Sequence, residues 1–486
     1  MSRINTNIES LIARRILDTN NLALGRSLER LSTGLRINSG RDDPAGLIAS
    51  ETLRSSKVDL TAATDNARRA DTVVAIAEGA LQEANSLLLE LEDLIDRSAN
   101  VGGLTDAEIS ANQLQIDSIL TSINRLANVT KFGDKQLLNG GFAFTTSGVA
   151  TANFDLAQVN NAKIPDNASR NVVVEVVTGS EFAFISGYGN ETAGTGTTNG
   201  TLSGAVTLEV TGNFGTESIT FASGASQSDI VTAVNASTQL TGVSAILSSN
   251  AGGINSVIFS STTFGSKGIV SVDVITNAQT GFDLGGVLND TGVDGAININ
   301  GQAATVDGLN ASIRNDSLAV DLLLTQPFGT TDGGSSTFAI TGGGARFNIA
   351  PDVSLVGTEI LGLQSVTTSS LGDANLGFLS SIGQGQTNAL TSENFADAQR
   401  IVRRAIDQVS SLRGRIGAFQ RSTLAPAINS MLVTFENTAA AESAIRDTDF
   451  AAETSNLTRS QILVNAATAT LQLANAAPQN ILALLG

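Results

Sequence analysis

The sequence contains no cysteine, no histidine and no tryptophan, and it has a single tyrosine. Without cysteine the chain forms no disulfide and offers no thiolate to a metal. Without histidine it lacks the most common general base and the most common metal ligand. These absences weigh against enzymatic chemistry, so we expect no catalytic residues, no metal site and no cofactor.

Charged residues are also sparse, at 15% of the 486 positions, and acidic residues exceed basic ones to give a net charge of −18. Residues 146–390 contain 19 acidic and 5 basic side chains, whereas the two ends together are nearly balanced. An acidic surface repels nucleic acid and anionic membranes, so we expect neither as a partner. A simpler explanation for the acidic middle is a surface that keeps the protein soluble.

Long apolar runs are missing as well. No run approaches the roughly 18 residues of a membrane-spanning helix, so we expect no membrane insertion. The first ten residues have neither an apolar segment nor a cleavage signature. If the protein leaves the cytoplasm, we expect it to do so without a cleaved signal peptide.

What the sequence does contain is a helical pattern at both ends. From Leu53 to Ile95 apolar residues recur at alternating steps of three and four, which is typical of a coiled-coil helix. The same spacing appears in residues 109–126 and again in residues 395–419. Because each helix must bury its apolar stripe, we expect the two ends of the chain to pack against each other.

The outermost segments are different. Residues 4–35 and 454–485 are rich in leucine and isoleucine, and Arg459 is the only charged residue after Glu453. Helices with so little solvated surface should be poorly ordered alone and should order on burial among copies of the chain. The alternative is a terminal helix that docks on its own domain.

Local signals predict several boundaries. Ser39 and Gly40 are expected to end the first helix, and Asp42 or Asp43 to cap the next one. Ser392 is a candidate cap for the first C-terminal helix. Pro426 lies inside a helical pattern, where proline costs about 3 kcal/mol and bends the helix.

The middle of the chain alternates apolar and polar residues with a period of two, which predicts β-strands at residues 206–210, 218–221, 256–260 and 269–275. Residues 226–235 interrupt them with a short helical pattern. The predicted fold is therefore a multidomain α + β protein. A long antiparallel helical coiled-coil bundle is formed by both chain ends, and glycine-rich β domains are inserted between them.

We divide the chain into six segments. They are an inner helix at 1–41, a helical bundle with a β-turn at 42–145, a β-rich outer domain at 146–290, a second β-rich segment at 291–391, a bundle helix at 392–448 and an inner helix at 449–486.

Several motifs resemble those of bacterial flagellin. The strongest are residues 29–47 (ERLSTGLRINSGRDDPAGL) and residues 443–453 (SAIRDTDFAAE), with further matches at 131–140 (KFGDKQLLNG) and 478–485 (PQNILALL). The similar segments are spread over the two helical ends, which together make up about half of the chain. Residues 202–275 resemble an insertion motif of some flagellins and hook-associated proteins.

The resemblance implies a structural subunit that polymerises into the flagellar filament for swimming. The outermost terminal helices would line its inner tube, the coiled-coil helices the next shell and the middle its outer surface. Implied partners are other copies of the chain, the flagellar export apparatus, an export chaperone, the filament cap and hook-associated proteins. The implied location is the extracellular filament, reached unfolded through the flagellum's own channel.

The resemblance also implies which residues form subunit interfaces. They are Leu24, Leu28, Leu31, Arg36, Asn38, Arg41, Asp42, Asp43, Arg446, Asp447, Asp449, Phe450, Leu471 and Leu484. For Asp43, helix capping alone is the simpler interpretation.

A second implied surface faces the vertebrate flagellin receptor and includes Leu88, Glu90 and Leu94. Receptor-activating flagellins have an arginine at the position of Glu90. This reversed charge predicts weak or absent receptor activation.

The sequence disfavours three alternatives to a filament subunit. A hook–filament junction protein shares both helical ends, but the motifs at 29–47 and 443–453 favour flagellin. A secreted β-rich adhesin would not need two terminal coiled-coil segments. An enzyme has no supporting constellation, because the acidic pairs at 42–43 and 447/449 lie at helix starts, where capping explains them.

Overall fold

The computed structural model describes residues 6–165, 168–189, 201–202, 204–249, 255–277, 282–283, 288–315, 317–374 and 376–485. The chain divides into two compact units. The first comprises Met1–Asp71, Asn348–Gly357 and Gln420–Gly486, and the second comprises Thr72–Phe347 and Thr358–Phe419. The predicted helix–β–helix order along the chain is confirmed.

In chain order, the helices of the described residues are α1 (Ile8–Thr33), α2 (Pro44–Ser98), α3 (Asp106–Val129), α4 (Gln227–Ala236), α5 (Thr238–Thr241), α6 (Gln326–Gly329), α7 (Phe395–Phe419), α8 (Ala425–Arg446) and α9 (Phe450–Leu485). Short 3-10 turns occur at Val101–Gly103, Leu379–Ile382 and Leu390–Ser392, and a π-helical turn occurs at Gln420–Leu424. Among the described residues, no helix combines the length and apolar character needed to cross a lipid bilayer.

Helix boundaries correct two of the sequence predictions. The first helix ends at Thr33, not at residues 39–40, because Gly34 adopts a left-handed conformation (φ 74°) and donates its N–H to the carbonyl of Arg30. Ser392 does not cap α7, because a 3-10 turn ends there and α7 begins three residues later, at Phe395.

Pro426 acts differently from a simple kink. The helix passes through the π-helical turn before it, and Pro426 then occupies the first turn of α8, where its missing N–H is not needed.

The second unit is built on a helical core. Residues of the predicted coiled-coil stripe are buried in α2, including Leu81, Leu88 and Leu91, and they pack with α3 and α7. The corresponding stripe of α7 is buried through Ala398, Val402, Ala405, Val409, Leu412 and Ile416. Burial of one such leucine stabilises the fold by about 1.5–3 kcal/mol, so this stripe is a large part of the folding energy.

Strands account for most of the middle of the chain. They are β1 (Lys131–Phe132), β2 (Lys135–Gln136), β3 (Phe144–Ser147), β4 (Phe154–Ala162), β5 (Arg170–Thr178), β6 (Phe182–Gly189), β7 (Val206–Gly212), β8 (Thr216–Phe221), β9 (Val243–Ser249), β10 (Asn255–Phe264), β11 (Ile269–Asn277), β12 (Phe282–Asp283), β13 (Asn289–Thr291), β14 (Ala296–Ile299), β15 (Gln302–Ala303), β16 (Thr305–Asp307), β17 (Asn310–Arg314), β18 (Leu318–Leu324), β19 (Ser335–Gly343), β20 (Ala345–Asn348), β21 (Thr358–Leu361), β22 (Gly372–Asp373) and β23 (Gly377–Phe378). The four strands and the short helix predicted from the sequence are all present.

Two sheets enclose the first β core. Their strand orders are β15-β14-β5-β19-β3 and β16-β17-β18-β4, with antiparallel neighbours. Valines of β5 and leucines of β18 fill the space between them. Phe154 makes edge-to-face contacts with Phe328 and Phe338, at centroid distances of 5.6 and 5.8 Å.

Two further sheets and α4 enclose a second, inserted β core. Their orders are β12-β6-β10-β9 and β13-β11-β7-β8. Ile230 and Val234 of α4 pack with Val257, Phe259 and the apolar face of β7. Strands from both sides of residue 290 share the first β core, so the predicted boundary at 290 does not follow the division between the two cores.

A small apolar cluster holds the first unit together. Leu60, Ala63 and Ala67 of α2 pack against Met431 of α8. Ile349 joins this cluster from the loop at residues 348–357, which is closed by a hydrogen bond from the N–H of Ile349 to the carbonyl of Gly357 (3.0 Å). The loop is therefore part of the helical unit, although β-strands flank it in the sequence.

Candidate assembly site

The two ends of the chain pair with each other. Helix α1 runs antiparallel to α9: Asn7 Nδ2 donates to the carbonyl of Ala474 (2.7 Å), and Arg30 lies 3.6 Å from Glu453 at the other end. Midway, Asn20 Nδ2 donates to the carbonyl of Leu463 (3.3 Å). We refer to α1 and α9 together as the terminal pair.

Within the described part of the terminal pair, the fully buried residues are small or polar, and the large apolar residues are half-buried or exposed. In α1 only Ala13 and Ser27 are buried, and the buried residues of α9 whose side chains are described are Glu453, Ala467 and Ala474. Small side chains let two helices approach closely but bury little apolar area. The fully buried residues therefore contribute little apolar area to the contact between α1 and α9.

Many of the large apolar side chains of α1 and α9 point outward. Those that are more than a third exposed are Ile8, Leu11, Ile12, Ile16, Leu22 and Leu28 in α1, and Phe450, Ile462, Leu463 and Leu473 in α9. An apolar surface of this extent on a single molecule is typical of a surface that another chain covers. Of the predicted interface residues, Leu28 is exposed, whereas Leu24, Leu31 and Leu471 are half-buried. The side chain of Leu484 lies outside the described residues.

Below the terminal pair the two chain segments cross side by side. Leu35 and Asp447 form an isolated antiparallel bridge, with hydrogen bonds from Arg36 N to the carbonyl of Arg446 (2.7 Å) and from Thr448 N to the carbonyl of Gly34 (2.9 Å). We call this crossing, residues 34–43 and 445–449, the clasp. It brings most of the predicted charged interface residues together.

Most charged groups of the clasp serve the fold of the subunit itself. The Arg36 guanidinium donates to the carbonyl of Ile445 (Nη2 at 2.6 Å) and lies 3.8 Å from Asp43. Arg446 Nη1 lies 3.2 Å from Glu51. These contacts join the N-terminal and C-terminal segments within one subunit, and they do not test the prediction that the same residues also contact neighbours.

The carboxylates of the clasp accept hydrogen bonds from nearby backbone groups. Asp43 Oδ1 accepts from the N–H of Gly46 (2.9 Å) and caps α2, and Asp449 Oδ1 accepts from Ala451 N–H (2.9 Å) at the start of α9. Asp42 instead holds the loop before α2, where the hydroxyl and N–H of Ser39 donate to Oδ2. The Ser39 hydroxyl is the largest cause of the lowered pKa of Asp42.

The other predicted interface residues of the clasp differ in whether they have a hydrogen-bond partner within the subunit. Asp447 Oδ2 accepts from the Ser443 hydroxyl, and Asn38 Nδ2 donates to the carbonyl of Leu35. Arg41 is exposed and makes no hydrogen bond or ion pair within the described part of the chain. The sequence analysis missed Gly34 and Glu453. A glycine directly after a helical pattern that has arginine in its last turn is the signal that would have located the true end of α1.

The predicted receptor surface needs a correction. Leu88 and Leu94 face the helical core and are 0% and 7% exposed, because both belong to the buried stripe of α2. Glu90 is exposed, as is Leu89 beside it. The prediction about the receptor therefore depends on Glu90 alone. Within the described residues, no three acidic side chains lie close enough together to hold a metal ion.

Comparison with known proteins connects this geometry to a family. A model of the bacterial flagellin N-terminal helical region matches residues 4–143, and one of the C-terminal helical region matches residues 400–485. B-type flagellin of Pseudomonas aeruginosa is 30% identical over 99% of this chain and 99% of its own length. The chain belongs to the bacterial flagellin family.

Other flagellins match this one along its whole length. Flagellin of Salmonella choleraesuis is 28% identical and flagellin C of Vibrio cholerae 30%, each over 99% of both chains. The flagellin interpretation is confirmed, and the hook–filament junction protein is not favoured. This flagellin is a subunit of the extracellular flagellar filament, and its family is a structural one.

Proposed function

We propose that the terminal pair is the surface through which this flagellin polymerises, and that α1 and α9 bury their outward apolar side chains only between subunits. The observation that carries the proposal is the contrast within α1, where only Ala13 and Ser27 are buried while six large apolar side chains are exposed. Burying one leucine contributes about 1.5–3 kcal/mol, so covering several of them can drive assembly.

The clasp has a supporting role in this proposal. It fixes the direction in which α1 and α9 leave α2 and α8, through backbone bonds that do not depend on side-chain identity. We further propose that the predicted interface residues Arg41 and Asp42 contact neighbouring subunits, Arg41 because its guanidinium is exposed and without a partner among the described residues. The β cores would form the outer surface of the filament, and no catalytic activity is expected from the chain.

We also propose that the chain reaches the filament without a cleaved signal peptide, through the flagellar export apparatus and with an export chaperone. The filament cap and hook-associated proteins would be its contacts at the two ends of the filament. A protein without cysteine has no disulfide to reduce before it passes unfolded through a channel. Secretion should therefore stop in cells that lack the flagellar export gate and continue in cells that lack only the general secretory route.

Seeded elongation tests the assembly proposal. Purified subunits are added to filament fragments, and growth is followed by electron microscopy and sedimentation. Replacing Leu11, Leu22 and Leu28 by serine should abolish elongation while the monomer keeps its circular dichroism spectrum and melting temperature, because all three side chains are exposed in the monomer. Normal elongation of this variant would refute the proposal.

A matched control comes from the inserted β core. Phe214, Leu240 and Ile246 are also exposed, by 68%, 63% and 55%, and replacing them by serine removes a similar apolar area. This control should elongate like the unmodified chain. Loss of elongation in both variants would point to solubility or folding as the cause, which the melting temperatures would reveal.

For the receptor, we propose that the exposed Glu90 weakens recognition by the vertebrate flagellin receptor. Glu90→Arg should then raise activation in reporter cells, whereas Glu83→Arg, on an exposed position two turns earlier in the same helix, should not. Equal potency of the unmodified chain and an activating flagellin would refute this.

A further inference from the structure

The loop at residues 348–357 has the most exposed large apolar side chains in the described part of the chain. Val353 is 92% exposed and Val356 85%, and Leu355 beside them is 37% exposed. The neighbouring Asp352 is exposed and makes no hydrogen bond or ion pair with any described residue. We call residues 352–356 the loop tip.

The loop is anchored on the subunit, so the exposure of its tip is a property of the fold. Ile349 packs into the apolar cluster of α2 and α8, and the hydrogen bond from Ile349 N–H to Gly357 closes the base. At Gly357, a Cβ would lie 2.5 Å from that of Ala350, so the two sides of the loop meet closely. Exposing two valines to water is unfavourable, and a partner surface that covered them would remove this unfavourable hydration.

The tip is not complementary to itself. If two copies met tip to tip, their Asp352 carboxylates would face each other without a cation, and like charges disfavour such a contact. The tip must therefore meet a different surface, which makes the contact heterologous. Heterologous contacts that do not close into a ring build open helical polymers. A filament is such a polymer.

One surface of the same unit has the complementary properties. Arg54, Val58 and Ala62 follow one another at steps of four on α2, on the side away from buried Leu60, Ala63 and Ala67. Val58 is 65% exposed. We call these three residues the α2 outer face.

Arg54 is available to a new partner. Its own neighbour Glu51 lies 3.7 Å away, and Glu51 is already engaged by Arg446 at 3.2 Å. The outer side of α8 offers an exposed valine too, Val433, but its neighbour one turn later is Glu436, which would repel Asp352. Charge thus favours α2 over α8 as the surface that receives the tip.

We propose that the loop tip of one subunit docks on the α2 outer face of a neighbouring copy, with Val353 and Val356 against Val58 and Asp352 against Arg54. This inference rests on the proposed function, because it adds a second contact to a polymer that the terminal pairs form. It gives the first unit a contact between subunits that is independent of α1 and α9.

The first test measures the concentration of free subunit that remains after seeded elongation of the full chain. Val353→Ser with Val356→Ser should raise this critical concentration by about tenfold or more, because two apolar side chains lose their burial. Phe214→Ser with Leu240→Ser is the matched control and should change it by less than about twofold. A tip variant that behaves like this control would overturn the inference.

The second test is a charge exchange. Asp352→Lys and Arg54→Glu should each raise the critical concentration by about threefold to tenfold, and the double variant should return close to the original value. Arg125→Glu serves as the control, because Arg125 is an exposed arginine of α3, outside both the terminal pair and the α2 outer face. Rescue of Asp352→Lys by Arg125→Glu, or by neither change, would overturn the assignment to α2.

The two proposals can fail separately. If the loop variants elongate normally while the α1 serine variant does not, only the docking of the tip is wrong. If the α1 serine variant elongates normally, the proposed role of the terminal pair is wrong regardless of the loop. All loop substitutions change exposed side chains, so their melting temperatures should match that of the original chain within about 1 °C.

Discussion

The terminal pair and the helical core of the second unit are both made of long helices, yet they bury opposite kinds of residues. In the core, α2, α3 and α7 bury leucine, isoleucine and valine together with alanines along their stripes. In α1 the buried residues are one alanine and one serine, and leucines face outward. Similar helix-forming sequences thus have two different roles. The core helices enclose their apolar residues within the molecule, and the terminal pair exposes many of its own to solvent.

The largest test of this contrast compares one leucine from each region. Leu88→Ala in the core should lower the free energy of unfolding by about 2–5 kcal/mol, because it leaves a cavity among side chains that are fully buried. Leu22→Ala in α1 should change it by less than about 0.5 kcal/mol, because Leu22 is 60% exposed. Urea denaturation of the monomer measures both. Equal losses would show that α1 is packed within the monomer after all.

A second test asks whether every buried group of the helical core stabilises the fold. The three guanidinium nitrogens of Arg415 on α7 are buried and have no hydrogen-bond partner among the described residues. Burial lowers the pKa of Arg415 to about 10. Replacing it by methionine should leave stability unchanged or raise it by about 1–3 kcal/mol, as measured by urea denaturation at pH 7.

The effect of Arg415→Met on stability should depend on pH in a definite direction. A base whose pKa is lowered on folding destabilises the folded state below that pKa, and the cost falls as pH rises through about 10. The advantage of Arg415→Met should therefore shrink above pH 10. Arg413→Met on the same helix is the control, because Arg413 has a partner in Glu78 at 3.2 Å, and it should destabilise. A destabilised Arg415→Met with no pH dependence would contradict the prediction.

The smallest predicted effect, a change in local amide exchange, comes from a substitution at the end of α1. Gly34 has φ 74°, which alanine adopts at a cost of about 1 kcal/mol, although an added Cβ would meet only Phe450 at 3.8 Å. Gly34→Ala should speed amide exchange in α1 and α9 by about fivefold and leave the exchange of the core helices unchanged. Uniform acceleration in both regions would mean that the terminal pair and the core unfold together.

The sequence located the long helices because their stripes repeat over many turns, and almost every stripe residue from Leu60 to Ile95 is buried. It misplaced the end of α1 because Gly34 and residues 39–40 carry similar breaking signals, and only the crossing with residues 445–448 decides between them. Resemblance placed Leu88 on a surface, although the helical period assigns Leu88 to the buried stripe of α2.

The β region was predicted only strand by strand. Alternation of apolar residues identified β7, β8, β10 and β11, since one face of each is buried. It could not show that β5 pairs with both β14 and β19 across more than 100 intervening residues. Such pairing depends on which apolar faces meet in space, and no local pattern records that. For the same reason, nothing in the sequence pointed to the exposed tip at residues 352–356.

The pairing of α1 with α9 also has a consequence for how the molecule is made. Asn7 and Ala474 touch although they are 467 positions apart in the sequence, so the terminal pair closes a very long loop. Contacts between residues far apart in sequence form slowly, because closing the loop costs conformational entropy before the contact energy offsets it. A chain still emerging from the ribosome therefore has no terminal pair, and the apolar assembly surface forms only after α9 has been synthesised.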